Sequence, residues 1–153
     1  MRHFLTLFSG AVLMLAGAGA AAAPVCEGTP SDAQLHIDIE GVRSDAGLMA
    51  ATLYADDEAH FLKAKGSLKV WRVPAQAPST TMCIWLPRPG AYEVAVYHDA
   101  NSNLKWDHSS LGSIEGFGFS RNPTIFISPP PIRSTRFQAP AGETTIRVRL
   151  SYR

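Results

Sequence analysis

The stretch HDANSNLKWD, residues 98–107, carries oxygen-bearing side chains at alternate positions, followed after a gap by one more carboxylate. Ca²⁺ takes about six to eight oxygen ligands at about 2.3–2.6 Å, and a tightly coiled loop supplies them from alternate residues. A backbone carbonyl inside the loop and a later carboxylate would complete the shell. The spacing therefore indicates a calcium site whose ligands would be Asp99, Asn101, Asn103, the Lys105 carbonyl, Asp107 and Glu115.

A hydrogen-bonded turn would explain the same residues without a metal, because Asp and Asn side chains readily bond their own backbone. Leu104 stands where a calcium loop wants glycine, and a left-handed conformation there costs roughly 1–2 kcal/mol. With few carboxylates, a calcium site would be weak, with a dissociation constant of about 10⁻⁴–10⁻³ M. Both interpretations stay open at this point.

His98 and His108 flank the loop, but two imidazoles among amides do not make the convergent set of ligands that zinc requires. His98 together with acidic residues near the loop would suit a carbohydrate- or peptide-processing enzyme. The chain has no nucleophile elbow or other hydrolase motif to support such a reaction. Catalysis is therefore the alternative hypothesis, and we assign no catalytic residue.

Aromatic side chains surround the loop and could form a platform for a sugar or peptide ligand. The same side chains could instead pack the loop onto the body of the domain. Gly116 and Gly118, which alternate with two of the phenylalanines, indicate a close approach of backbone to backbone. The residues of this candidate platform are His98, Trp106, Phe117 and Phe119.

The elements that would position these residues are strands separated by turns. QLHIDIE (34–40) and TTIRVRLS (144–151) alternate apolar and polar side chains, which is the period of a half-buried strand. Turn residues at intervals of about a dozen positions favour an all-β fold, a single antiparallel β-sandwich of about seven strands. A short helix at 56–66 is the one helical candidate. The remaining predicted strands are 47–55, 67–73, 80–87, 91–99 and 134–140.

The stretch LPRPGAY, residues 86–92, predicts a rigid turn between two of these strands. Tyr92 enters the second strand, where its hydroxyl can bond backwards to the turn. The pattern resembles the transthyretin-like and carboxypeptidase-regulatory β-sandwiches, and this resemblance implies only the fold.

The amino-terminal segment has the order of a secretory signal peptide: a cationic start, a short apolar run and a small-residue tract. We expect cleavage after Ala22, leaving a single domain over residues 23–153. The apolar run is too short to span a membrane, so the mature chain should have no membrane span. The expected location is periplasmic or secreted.

The mature chain would carry 13 basic and 13 acidic side chains, so it lacks the basic surface that nucleic acids or anionic membranes require. Its two cysteines, Cys26 and Cys83, would meet oxidising conditions after export. A disulfide between them is predicted, since it would tether the flexible start of the domain.

The longer stretch HDANSNLKWDHSSLGSIEGFGFSRN, residues 98–122, resembles the signature of a secreted or periplasmic family catalogued as domain of unknown function 2141. The signal peptide, the first two strands and the Pro-Gly turn agree with that family. Two positions depart from its pattern, with Leu104 replacing a glycine and Ser113 replacing a proline. The resemblance implies fold and compartment, and it implies no reaction.

These observations predict an exported, non-enzymatic β-sandwich module with a calcium-stabilised Asp/Asn loop and a binding or accessory role in the cell envelope. Its partner would be an envelope protein, a peptide or a glycan. The alternative is the carbohydrate- or peptide-processing enzyme using His98.

Overall fold

A computed structural model describes residues 25–109, 112–113, 115–125 and 128–152. The predicted signal peptide, residues 1–22, lies outside the described residues. The regular elements of the described chain are β1 (Ala33–Glu40), β2 (Leu48–Ala55), β3 (Lys69–Pro74), β4 (Ser79–Trp85), β5 (Gly90–Asp99), β6 (His108–Ser109), β7 (Gly112–Ser113), β8 (Phe117–Phe119), α1 (Ile132–Thr135), β9 (Phe137–Ala139) and β10 (Gly142–Arg149).

Two sheets form the sandwich that the sequence predicts. One has the strand order β10-β1-β4, and the other has the order β3-β2-β5-β8, with β9 also pairing with β5. Among the described residues, the short strands β6 and β7 pair with each other. Eight strands therefore contribute to the two sheets of the described chain, close to the predicted number of about seven. No helix among the described residues is long and apolar enough to cross a membrane.

The pairing of β1 with β10 is parallel, whereas the other named ladders are antiparallel. Ile37 lies opposite Ile146 in this ladder. The two strands come from opposite ends of the domain, so the ladder joins the beginning and the end of the fold. The sequence identified both strands but contained no signal for their direction relative to each other.

Alternation of side chains builds the core between the sheets. Leu35, Ile37 and Ile39 of β1 are fully buried, and Val94 of β5 faces them as part of the same cluster. Burying a side chain of this size contributes about 1.5–3 kcal/mol. The period-2 pattern thus decides which face of each strand points inward.

A second apolar cluster lies on the outer face of the larger sheet. It consists of Tyr54, Phe61, Phe119 and Ile132, supported by Leu62, Ala95, Phe117 and Ile125. The segment 56–66 supplies Phe61 to this cluster but forms turns rather than the predicted helix. Leu62 and Lys65 adopt left-handed conformations, which interrupt a right-handed helix.

The predicted strand 134–140 is shorter than expected, because residues 132–135 form the single helical turn α1 and only 137–139 pair as β9. Thr135 donates a hydrogen bond from Oγ1 to the Ile132 carbonyl and thereby supports that turn. The turn at 86–92 follows the prediction, since the Tyr92 hydroxyl donates to the Arg88 carbonyl at 2.8 Å.

Candidate functional site

The Asp/Asn loop begins where β5 ends, at Asp99. Gly47, which precedes β2, lies against the backbone of Asp99 and Ala100 with φ of +73°, so a side chain at position 47 would collide with that backbone. The glycine thus allows the turn before β2 to pack directly under the start of the loop. The sandwich therefore positions the first predicted ligand rigidly.

Asp99 is fully buried and organises the loop backbone. Its Oδ1 accepts the Asn103 N–H at 3.0 Å, and its Oδ2 accepts the Leu104 N–H at 2.9 Å. Both bonds have a charged acceptor, which makes them stronger than bonds between neutral groups. One carboxylate therefore closes the coil of the loop.

Three further predicted ligands, Asn101, Asn103 and Asp107, meet at one oxygen. Asn101 and Asn103 each donate from Nδ2 to Oδ2 of Asp107, both at 2.7 Å. The Asn101 Oδ1 accepts the Asn103 N–H, and the Asn103 Oδ1 accepts the Lys105 N–H. These are the Asx turns that the alternative interpretation predicted.

Glu115 accepts hydrogen bonds from both ends of the loop. It is 2% exposed, its Oε1 accepts the Ala100 N–H at 3.0 Å, and its Oε2 accepts the Asp107 N–H at 2.8 Å. The predicted ligand is thus brought to the loop, although its oxygens are directed at backbone amides. The structure places together all six predicted ligand residues, with Lys105 contributing to the loop through its backbone.

Leu104 adopts a left-handed conformation with φ of +65°, at the position where a calcium loop prefers glycine. Its side chain is 56% exposed, so it gains little from burial. The strain expected from the sequence is therefore present in the fold, and Ser102 shares it with φ of +58°.

Replacing Leu104 with glycine is expected to raise the free energy of unfolding by about 1 kcal/mol. Glycine removes a left-handed strain of roughly 1–2 kcal/mol and loses part of this gain to the greater entropy of the unfolded chain. Urea denaturation measures the change. Lys105→Gly, at an exposed neighbour without a left-handed φ, should instead lower stability by about 0.5–1 kcal/mol. Equal destabilisation by both glycines would contradict the prediction.

His98 lies buried at the edge of the core, and both of its ring nitrogens form hydrogen bonds. It is 1% exposed, its Nε2 bonds the Ala46 carbonyl at 2.7 Å, and its Nδ1 bonds the Tyr152 hydroxyl at 2.9 Å. Because a carbonyl can only accept, Nε2 donates to Ala46, and the Tyr152 hydroxyl is the partner of Nδ1. Burial raises the pKa of Tyr152 and keeps its hydroxyl protonated. This arrangement leaves His98 no free nitrogen for a substrate.

The residues of the candidate aromatic platform lie on opposite faces of the larger sheet. Phe117 and Phe119 lie opposite Tyr97 and Ala95 and belong to the outer cluster, whereas His98, at the alternate position of β5, faces the Tyr152 side. Trp106 contacts Phe117 edge to face, with ring centroids 5.1 Å apart, and is 39% exposed. The phenylalanines therefore serve packing, and Trp106 extends their cluster to the surface.

The two glycines between these phenylalanines allow the close approach that the sequence indicated. A Cβ at Gly118 would lie 2.6 Å from the Arg149 carbonyl oxygen and 2.8 Å from Cγ1 of Val148. At Gly116 it would collide with the ring of Tyr152. Gly118 thus packs against the end of β10, and Gly116 packs against Tyr152 in the chain that follows β10.

The predicted disulfide is present between Cys26 and Cys83, with Cα atoms 4.3 Å apart. It ties the segment before β1 to β4. Beside it lies His36 of β1, whose Nε2 is 3.7 Å from Sγ of Cys83. The sequence did not single out His36, because only the register of β1 against β4 places it opposite Cys83.

A buried carboxylate, Glu93, is a second feature that sequence reasoning missed. Glu93 is fully buried, and neither carboxylate oxygen has a hydrogen-bond partner among the described residues. Its Oε1 is 4.0 Å from Nε of Arg136, which makes closer contact with Asp56 at 2.6 Å. Burial and the neighbouring charge of Asp56 raise the pKa of Glu93 from 4.5 to about 7 against the opposing effect of Arg136.

The alternation of side chains along β5 did not predict the burial of Glu93, because this residue occupies a position that should face solvent. Segment 56–66 and the chain around α1 cover that face with the outer cluster. A local sequence pattern contains no information about such a cover.

Comparison with known proteins agrees with the motif of residues 98–122. No curated protein matches the chain, and no solved structure does. A family model matches residues 37–147, from the first strand of the sandwich to the last, including the whole loop. The chain therefore belongs to the family described as "Uncharacterized protein conserved in bacteria (DUF2141)".

Proposed function

We propose that this protein is an exported, non-enzymatic β-sandwich module whose Asp/Asn loop holds Ca²⁺ weakly and presents a binding face to an envelope protein, a peptide or a glycan. The observation that carries the proposal is the convergence of Asp99, Asn101, Asn103 and Asp107 in one coiled loop. Their oxygens are of the type that Ca²⁺ prefers.

The hydrogen bonds of the loop leave capacity for a cation. A carboxylate has about four lone-pair sites, and each oxygen of Asp99 uses one site on a backbone N–H. The amide oxygens of Asn101 and Asn103 likewise accept one bond each. One lone pair per oxygen therefore remains for a metal.

Competition within the loop predicts weak affinity. Oδ2 of Asp107 already accepts the amide groups of Asn101 and Asn103, so Ca²⁺ binding at this oxygen would disturb two charge-assisted bonds. The left-handed Leu104 is already in the conformation that the coil requires. We therefore expect a dissociation constant of about 10⁻⁴–10⁻³ M, typical of extracellular calcium modules.

The exposed apolar side chains support the proposed binding face. Four large hydrophobic residues are exposed among the described residues, and two of them, Leu104 at 56% and Trp106 at 39%, lie on this loop. Ordering of the loop by Ca²⁺ would hold both in one arrangement. The catalytic alternative gains no support from the geometry, because both ring nitrogens of His98 are hydrogen-bonded, one to Ala46 and the other to Tyr152.

Calcium titration followed by thermal and urea unfolding tests the proposal. Binding to the folded state alone should raise the free energy of unfolding by roughly 1.4 kcal/mol at a tenfold excess over the dissociation constant. Asp107→Asn should abolish this gain, whereas Ser102→Ala, between two ligands, should retain it. Mg²⁺ should act much less, because its octahedral geometry is demanding.

Two results would count against the proposal. If millimolar Ca²⁺ gives no calorimetric signal and leaves the melting temperature unchanged, the loop is a hydrogen-bonded turn. Turnover of a glycan or peptide substrate by the purified protein would contradict the non-enzymatic part.

A further inference from the structure

The two cysteines of the disulfide and His36 form a group of side chains with the spacing of metal ligands. The ligand atoms of Cys26, His36 and Cys83 all lie within 4.8 Å of one another. His36 and Cys83 are directly opposite in the β1–β4 ladder, so their side chains point to the same face of the sheet. Cys26 approaches them from the segment before β1.

Backbone pairing holds Cys26 in place independently of the disulfide. The Glu27 N–H donates to the Cys83 carbonyl at 2.8 Å, and the Trp85 N–H donates to the Glu27 carbonyl at 2.9 Å. These two bonds form a parallel bridge along the outer edge of β4. Breaking the sulfur–sulfur bond therefore leaves both cysteines facing each other beside His36.

The spacing suits a tetrahedral cation. Zinc binds thiolate sulfur at about 2.3 Å and imidazole nitrogen at about 2.0–2.1 Å, which places the two ligand atoms about 3.6 Å apart. Nε2 of His36 is 3.7 Å from Sγ of Cys83. Cys26 and His36 are only partly buried, so solvent can reach a fourth position.

We propose that reduction of the Cys26–Cys83 disulfide creates a binding site for a thiophilic cation of the Zn²⁺ type, with Cys26, Cys83 and His36 as the three protein ligands. Oxidation closes the site, because sulfurs that are bonded to each other cannot act as two thiolates. The site is separate from the Asp/Asn loop and differs from it in ligand chemistry, since sulfur and imidazole select Zn²⁺ over Ca²⁺.

The chemistry balances with a dithiol as the reductant. The dithiol delivers two electrons and two protons, its own two sulfurs form a disulfide, and the bond between Cys26 and Cys83 becomes two thiols. Binding of Zn²⁺ then releases both thiol protons to solvent, because the ligands are thiolates. The imidazole of His36 coordinates in its neutral form.

Zinc titration of the full exported domain in both redox states tests this site. The protein is reduced with dithiothreitol, desalted without oxygen, and titrated with Zn²⁺ against a chromophoric chelator. We expect one Zn²⁺ per reduced chain and none at this site in the oxidised chain. His36→Asn should weaken binding by roughly tenfold or more, while His60→Asn, at an exposed histidine on segment 56–66, should not.

Co²⁺ provides a readout of the ligands themselves. The reduced protein should show thiolate-to-cobalt charge transfer together with the absorption of a tetrahedral ion, and Cys26→Ser/Cys83→Ser should show neither. Circular dichroism of the reduced chain establishes whether the sheet persists. The proposal is overturned if His36→Asn binds as tightly as the wild type, if the oxidised protein binds equally well, or if the reduced chain is unfolded.

Discussion

Replacing Glu93 with glutamine is expected to make the protein more stable than the wild type at pH 8, by about 3 kcal/mol. The pKa of Glu93 is raised from 4.5 to about 7 by burial, then by the nearby charge of Asp56. Each unit of pKa difference between the folded and unfolded states corresponds to about 1.4 kcal/mol. Ionisation of the buried Glu93 above neutral pH therefore lowers the free energy of unfolding of the wild type.

The direction of this effect follows from proton linkage. A folded pKa above the unfolded value means that the folded chain binds the proton more tightly. The stabilising contribution of proton binding by Glu93 is fully present below pH 4.5, falls as the pH rises toward 7, and is lost above that value. Glutamine does not titrate, so the difference between variant and wild type should grow over this window and then level off.

Urea denaturation at intervals from pH 4 to 8 measures the free energy of unfolding of the variant minus that of the wild type. Titrating groups that both proteins share cancel in this difference. Glu143→Gln, at an exposed carboxylate on β10, is the matched control and should follow the wild-type curve. A Glu93→Gln curve parallel to that of the wild type would show that Glu93 is ionised normally in the folded protein.

Removing the disulfide should lower the free energy of unfolding by about 4 kcal/mol. The bridge joins residues separated by 57 positions, and the chain-entropy model gives this magnitude for a loop of such length. The double variant Cys26→Ala/Cys83→Ala avoids placing a hydroxyl at the buried Cys83. Because the effect acts through the unfolded chain, the urea m-value should also rise as that chain becomes more expanded.

Reduction of the wild-type protein provides an independent measurement, since it should give the same loss without any substitution. A loss below about 1 kcal/mol in both experiments would show that the disulfide does not restrict the unfolded chain as the chain-entropy model requires. Ala77→Gly, at an exposed site in the turn before β4, should leave the m-value unchanged.

The loop illustrates what spacing can and cannot predict. The alternate oxygen-bearing residues lie together in the loop, because local coiling brings residues two apart to one side. The side-chain partners of Asp107 are Asn101 and Asn103 within the loop, whereas the partners of Glu115 depend on where β8 returns to β5, which is a tertiary property. Whether a cation displaces those partners stays a prediction.

The sequence by itself determined the strand faces, the Pro-Gly turn with its Tyr92 bond, and the identity of the sulfurs that join, since each follows from periodicity, local turn geometry or the count of two cysteines. Only the tertiary structure decided that β1 and β10 run parallel, that Glu93 is covered, and that His36 meets the disulfide. The physical reason is the range of the forces. Alternation and turn preference act over a few residues, whereas strand direction, outer cover and register depend on contacts between segments far apart in the chain.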